Sequence, residues 1–154
     1  MPIKSVCNTK IVTINKSATL EEVSSLMQKH HVGSLIVVES FNGKLIPAGI
    51  ITDRDIALTI GSLQKPKEIR VEQIMQTQPI TVKENEGIYE TISKMQKHGV
   101  KRLPVIHDDG SLLGIVSADD LLGLMGEEIS KMSKINETQI KNEQGFKLPT
   151  QKHL

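Results

Sequence analysis

Gly114-Ile115-Val116-Ser117-Ala118-Asp119-Asp120-Leu121-Leu122 restates an earlier stretch, Gly49-Ile50-Ile51-Thr52-Asp53-Arg54-Asp55-Ile56-Ala57. Each reads as glycine, a short β-branched strand, a hydroxyl residue, an Asp three positions later, and then an apolar helix. A strand that hands over to a helix in this way gathers three groups at one point. They are a hydroxyl, a carboxylate and the free amides of a helix N-terminus. A carboxylate there can accept a pair of charge-assisted hydrogen bonds from the vicinal hydroxyls of a ribose. The same spacing also makes a helix capping box, in which Ser/Thr and the acid satisfy each other's backbone amides. The two readings are compatible, and the sequence leaves both open.

Working outward, the duplication extends along most of the chain. Met27-Gln28-Lys29-His30 recurs as Met95-Gln96-Lys97-His98, and Val32 as Val100, at an offset of 95 − 27 = 68. Val12-Thr13-Ile14 matches Ile80-Thr81-Val82, and Val6-Cys7 matches Ile74-Met75, at the same offset. At the central glycine the offset falls to 114 − 49 = 65. The first copy therefore carries three extra residues around Phe41-Asn42-Gly43, in a hairpin turn where insertions cost little.

Each copy reads β-α-β-β-α. The first strand is Val12–Ile14 or Ile80–Val82. A helix follows, with Leu20, Val23 and Met27 on one face in the first copy and Ile88, Ile92 and Met95 in the second. Thr19-Leu20-Glu21-Glu22 is a capping box that starts the first of these helices. A strand comes next, Ser34–Val38 or Leu103–Ile106, and then a hairpin turn at Asn42-Gly43 or Asp109-Gly110. Gly61 is expected to stop the second helix of the first copy. A unit this small buries little surface alone, so two copies should pack through a pseudo-twofold axis. The expected division is residues 1–62 and 69–132 for the two repeats, 63–68 for a linker, and 133–154 for a helical extension with a polar tail. Gly145 and Pro149 argue against helix at the end, which should be extended or mobile.

The chain has 154 residues, 19 basic and 18 acidic, for a net charge of +1. Two Phe, one Tyr and no Trp leave no platform for stacking bases. Near-neutral charge and missing aromatics argue against nucleic acid as a partner, and against a membrane surface. No apolar run of transmembrane length and no signal-peptide pattern appear, so a cytoplasmic protein is expected. The lone Cys7 excludes an internal disulfide and a cysteine zinc site. His30 and His98 end amphipathic helices, where a histidine cation suits the dipole, and no ligand-spaced partner accompanies them. No catalytic motif is found, so an enzyme is not expected.

The ordered set, Gly-hydrophobic-hydrophobic-Ser/Thr-x-x-Asp on a tandem β-α-β-β-α unit, resembles a CBS-domain pair, also called a Bateman module. Lys101-Arg102-Leu103-Pro104-Val105-Ile106 and Val32-Gly33-Ser34-Leu35-Ile36-Val37-Val38 also match that family's strand segments. The resemblance covers roughly Ile3 to Met132. It implies an α/β regulatory module that binds AMP, ADP, ATP or a related adenosyl ligand in clefts between the repeats, with no catalytic cofactor. It places ribose contacts at Thr52, Asp55, Ser117 and Asp120. The adenine environment falls on Val12, Thr13, Val32 and Ser34 in one copy and on Ile80, Thr81, Val100 and Leu103 in the other.

Phosphates need cations or amides, and Arg54, Lys101 and Arg102 are the candidates. Arg54 is replaced by Asp119 in the second copy, so the clefts should differ. Phosphorylated ligands should favour the Thr52/Asp55 cleft. Apolar surface around Leu121–Met132 predicts a homodimer. The alternative reading is a ligand-independent dimerisation or protein-interaction module, and the protein target stays unnamed.

Overall fold

Short period-two runs and two helical stripes per copy produce four helices and seven strands among the described residues. The structure, a computed structural model, describes residues 1–62 and 65–146. In the first copy the elements are β1 (Thr13–Asn15), α1 (Leu20–His30), β2 (Ser34–Phe41), β3 (Lys44–Thr52) and α2 (Asp53–Ser62). After a two-residue strand, β4 (Gln76–Thr77), the second copy gives β5 (Val82–Lys83), α3 (Ile88–His98), β6 (Arg102–Ile106), β7 (Leu112–Ser117) and α4 (Ala118–Gln144). The chain divides into one compact unit, Met1–Ala118, and a second that begins at Asp119.

The first strand of each copy lies one or two residues later than its pattern suggests. The Thr19–Glu22 capping box forms as expected: the Glu22 amide donates to Thr19 Oγ1 and the Thr19 amide to Glu22 Oε2. Gly61 does not stop α2, which continues to Ser62. The Ser62 hydroxyl donates back to the carbonyls of Leu58 and Thr59, so the last turn is held without a glycine cap. The linker expected at 63–68 lies partly outside the described residues, as does the polar end beyond Phe146. The helix α4 is continuous across residues 132 and 133 and ends at Gln144, just before Gly145.

The sheets have orders β1-β2-β3-β4 and β5-β6-β7. Asn42 and Gly43 both have positive φ, 50° and 75°, as a tight primed hairpin turn requires. A bulge interrupts β2–β3 at Val37/Val38 and β6–β7 at Val105/Ile106. These are equivalent positions, and each lies opposite the central glycine, since Val37 pairs with Gly49 and Val105 with Gly114.

The two copies exchange their leading segments. The segment before β5 returns to the first copy: β4 pairs with β3 through Gln76↔Ile50, and the Val71 amide donates to the Ala18 carbonyl. Val71 is fully buried in the first core with Ile14, Leu20, Val23, Leu35, Val37 and Ile51. The segment before β1 goes the other way. Asn8 bridges to Ile115, and the Ile3 and Lys4 amides donate to the Glu86 and Glu84 carbonyls. Asn8↔Ile115 and Gln76↔Ile50 are the same pairing under the repeat, which gives the pseudo-twofold arrangement its physical content. Each copy's last strand thus has its outer edge paired with backbone from the segment that leads into the other copy.

The exchange explains the central glycine. A Cβ built on Gly114 would stand 2.5 Å from the Asn8 carbonyl oxygen, and one on Gly49 would stand 2.7 Å from that of Gln76. A sulfur fills the remaining space at both places: Cys7 Sγ beside Gly114 and Met75 Sδ beside Gly49. Cys7 is half-buried, and burial pushes its thiol pKa up despite a backbone hydrogen bond. That suits a packing role better than a nucleophile.

Candidate ligand-binding site

Thr52 is the last residue of β3 and Asp55 lies in the first turn of α2. The Asp55 amide donates to Thr52 Oγ1 at 3.2 Å, and the Thr52 amide donates to Asp55 Oδ2 at 2.9 Å. The capping-box reading of this motif is therefore realised in the first copy. It engages Oδ2 once. A carboxylate has about four acceptor positions, so the box leaves Asp55 with capacity to accept further bonds.

Thr52, Asp55 and Ser34 meet at this point. Ser34 is the cross-strand partner of Thr52. The Asp53 amide donates to the Gly33 carbonyl at 3.0 Å, fastening the start of α2 to the loop that follows α1. Val32 donates to the Met27 carbonyl, and both Val32 and Val12 pack against the first core. Thr13 lies on β1 opposite Ile36. Arg54 is exposed on the first turn of α2. Asp53 reads from the sequence only as an acid at a helix start, and a Cβ on Gly33 would lie 3.1 Å from its Oδ2. That contact is with the end of a side chain, so a Cβ at residue 33 would only displace the Asp53 carboxylate slightly.

The second copy repeats the frame. Ser117 ends β7 and faces Arg102 across the β6–β7 ladder. The Ala118 amide donates to the Lys101 carbonyl at 2.8 Å, the counterpart of Asp53 on Gly33. Asp119 and Asp120 occupy the first turn of α4. The Val100 amide donates to the Met95 carbonyl, Leu103 is buried opposite Val116, and Ile80 is half-buried. Lys101 is exposed and Arg102 half-buried.

One cation near the second site was missed. Lys94 Nζ donates to the Thr81 carbonyl at 3.2 Å and to Glu86 Oε1 at 2.8 Å. Burial disfavours ionised Glu86, but the bonds from Lys94 and from the Lys83 amide, with the two lysine charges, outweigh it and hold its carboxyl below the usual range. At the repeat offset, Lys94 and Glu86 stand where the first copy has Leu26 and Ala18, which pack on its core. That offset was the available signal. The second copy has an ion pair beside Thr81 where the first has two apolar residues.

Among the described residues, no group of His, Cys, Asp and Glu could hold a metal ion. His30 and His98 are the last residues of α1 and α3. No helix there is long and apolar enough to cross a membrane.

Known proteins share this organisation. The chain is 35% identical over 121 residues to an uncharacterised protein of Methanopyrus kandleri, covering 78% of this chain and 60% of that one. It is 34% identical over 119 residues to the CBS domain-containing protein YhcV of Bacillus subtilis, covering 77% and 81%. Among solved structures, the CBS domain pair of protein MJ0100, crystallised with 5′-methylthioadenosine and S-adenosyl-L-methionine, superposes with a TM-score of 0.72. Its identity is 28%, over 83% of this chain and 98% of that one. The CBS domain model itself matches twice, at residues 3–62 and 71–127. With two family matches on two copies of one fold, the chain belongs to the CBS domain family and carries the domain in tandem.

Proposed function

We propose that this protein is a regulatory module that binds an adenosyl ligand, AMP, ADP, ATP or a relative such as S-adenosylmethionine, without catalysing a reaction on it. It passes the occupancy on to a protein partner or to its own assembly, in the cytoplasm. The observation that carries this reading is the Thr52–Asp55 pair. Its hydroxyl and carboxylate are fixed by reciprocal backbone bonds, beside Ser34 and within one helical turn of Arg54. The adenosyl ligands of the MJ0100 domain pair support the ligand class.

In this reading Thr52 and Asp55 hold the ribose, and Arg54, Lys101 and Arg102 supply charge for phosphates. Val12, Thr13, Val32 and Ser34 surround the adenine. Ser117 and Asp120, with Ile80, Thr81, Val100 and Leu103, make the second cleft. Asp119 replaces Arg54 there, and the Lys94 charge is matched by Glu86, so that cleft favours a less anionic adenosyl ligand.

A second reading, a dimerisation module whose clefts stay empty, draws on the exposed apolar residues of α4. The protein is a homodimer under either reading. Thermal melts with AMP, ADP, ATP and S-adenosylmethionine separate the two. A ligand at 100 times its dissociation constant adds about 2.7 kcal/mol to stability. No shift with any of the four would favour the second reading.

A further inference from the structure

From residue 122 onward, α4 carries a row of large apolar side chains that the chain leaves exposed: Leu122, Met125, Ile129, Met132, Ile135 and Ile140. The first four are spaced 3, 4 and 3, which is the a/d seam of a heptad. Continued in step, the seam places Asn136 at the next a position and Gln139 at the next d. The opposite face holds Glu127, Ser130, Lys134, Glu137 and Lys141.

We infer that α4 pairs in parallel and in register with α4 of a second copy of this chain. The inference rests on the homodimer reading above and gives that dimer its orientation and its contacts. Three features of the pattern fit a second copy. Leu122, Met125, Ile129 and Met132 then stack on their own counterparts in four apolar layers. Asn136 meets the partner's Asn136, the polar a-position layer that fixes register in two-stranded coils.

The third feature concerns the two isoleucines off the seam. In a parallel pair a g residue reaches the e residue five positions on in its partner. Ile135 is a g position and Ile140 the following e position, so each Ile135 meets the partner's Ile140. The self-pairing therefore covers both residues that the a/d row leaves out.

An antiparallel pair does worse. Matched end to end it sets Leu122 against the partner's Gln139 and Met125 against the partner's Asn136, leaving only the Ile129–Met132 layers apolar on both sides. Shifted by one heptad it matches Leu122 with Met132 and Met125 with Ile129, but it carries Asn136 to the partner's Ala118, where α4 starts, and Ile140 past it, so the Asn136 layer and the Ile135–Ile140 contact are both lost. A lipid surface fits poorly too. Helices that lie on membranes are rich in Lys/Arg on the polar face, whereas this face mixes lysines with glutamates.

The test is disulfide trapping in a Cys7→Ser background, so that no native thiol competes. Three variants are compared under mild oxidation: Leu122→Cys alone, Gln139→Cys alone, and both together. Leu122 is exposed and Gln139 lies on the exposed part of the helix, so neither change removes a core contact. In a parallel pair each single cysteine faces its own copy and yields a covalent dimer.

In the antiparallel pair, residue 122 and its counterpart stand 17 residues apart along the axis, about 26 Å. A disulfide needs Cα atoms within about 7 Å. Covalent dimer from the double variant but from neither single would overturn the inference in favour of the antiparallel arrangement. A dimer in sedimentation that none of the three traps would mean a different pairing or a different interface, and would overturn the inference alone. A 17.0 kDa monomer at micromolar concentration would overturn both this and the homodimer reading. Ile129→Asp supplies an independent check, since it should convert the dimer to monomer while leaving the nucleotide-induced melting shift in place.

Discussion

Replacing Gly114 by alanine tests the exchange of leading segments through one methyl group. The new Cβ would lie 2.5 Å from the Asn8 carbonyl oxygen and 3.2 Å from Cys7 Sγ. The first contact is with backbone, so no rotamer relieves it and the Asn8 segment must move. That segment is tied by the Asn8 amide to the Ile115 carbonyl at 2.8 Å and by the Ile115 amide to the Asn8 carbonyl at 2.9 Å. It also positions Ile3, which is fully buried. Overpacking of this kind costs about 1–3 kcal/mol, and weakening one of the two bonds adds about 1 kcal/mol. A loss of about 2–4 kcal/mol results, which lowers Tm by roughly 5–15 °C for a domain this size.

Gly123→Ala is the matched control. A Cβ there meets nothing within 4 Å, and the position is inside α4. Alanine should stabilise that helix by up to about 1 kcal/mol. Calorimetric melts of both variants, with hydrogen exchange at the Asn8 and Ile115 amides, give the comparison. Gly114→Ala melting within about 2 °C of the native protein, with unchanged exchange at those amides, would refute the packing argument.

Other changes follow from the same structure. Gly49→Ala should destabilise the first copy as Gly114→Ala does the second, because its Cβ would meet the Gln76 carbonyl and Met75 Sδ; equal melting for native protein and variant would contradict this. The bond from Lys44, joined by those from Ser111, holds the Asp109 carboxyl well below the usual carboxylate range. A carboxylate with a depressed folded pKa adds stability above its unfolded value and loses it as pH falls through the folded one. Lys44→Met should therefore melt with a shallower acid dependence than the native protein below about pH 4. The effect is small because both side chains are largely exposed, and an unchanged acid slope would show that the pair contributes nothing. Glu86→Gln should leave Lys94 with an unbalanced charge beside Thr81. Binding of the more anionic ligands at the second cleft should then rise relative to S-adenosylmethionine, read by titration of each.

The repeat, its β-α-β-β-α order and the two hairpin turns were legible because each rests on local chemistry. Asn42-Gly43 demands positive φ, and Thr19 with Glu22 closes a box within one turn. The crossing of Ile3 and Val71 into the opposite copy was not legible, because an apolar residue in a short irregular segment carries no period to say which core it enters. The glycine of the central motif was visible, but its reason lay with Asn8 and Gln76, far off in sequence. At the candidate site, the spacing of Thr52 and Asp55 was enough to anticipate the capping box that the two residues form. Lys94 was overlooked because its role depends on Thr81 and Glu86, and its counterpart Leu26 reads as ordinary core. Gly61 misled because the hydroxyl of the next residue, Ser62, bonds the Leu58 and Thr59 carbonyls and holds the last turn without a glycine.

The central claim is that Asp55 serves a ligand as well as a helix. Calorimetric titration of AMP and S-adenosylmethionine into the native protein and into Asp55→Asn measures this directly, with a melt of each without ligand. Asn can still accept a bond from the Thr52 amide, so most of the capping role survives, while the charge that a ribose would use is gone. The account predicts a loss of about 1.5–3 kcal/mol in binding, roughly 10- to 150-fold in affinity, with ligand-free Tm nearly unchanged. Native affinity in Asp55→Asn, or a lowered Tm with no binding by either protein, would reduce the Thr52–Asp55 pair to a helix cap and contradict the account.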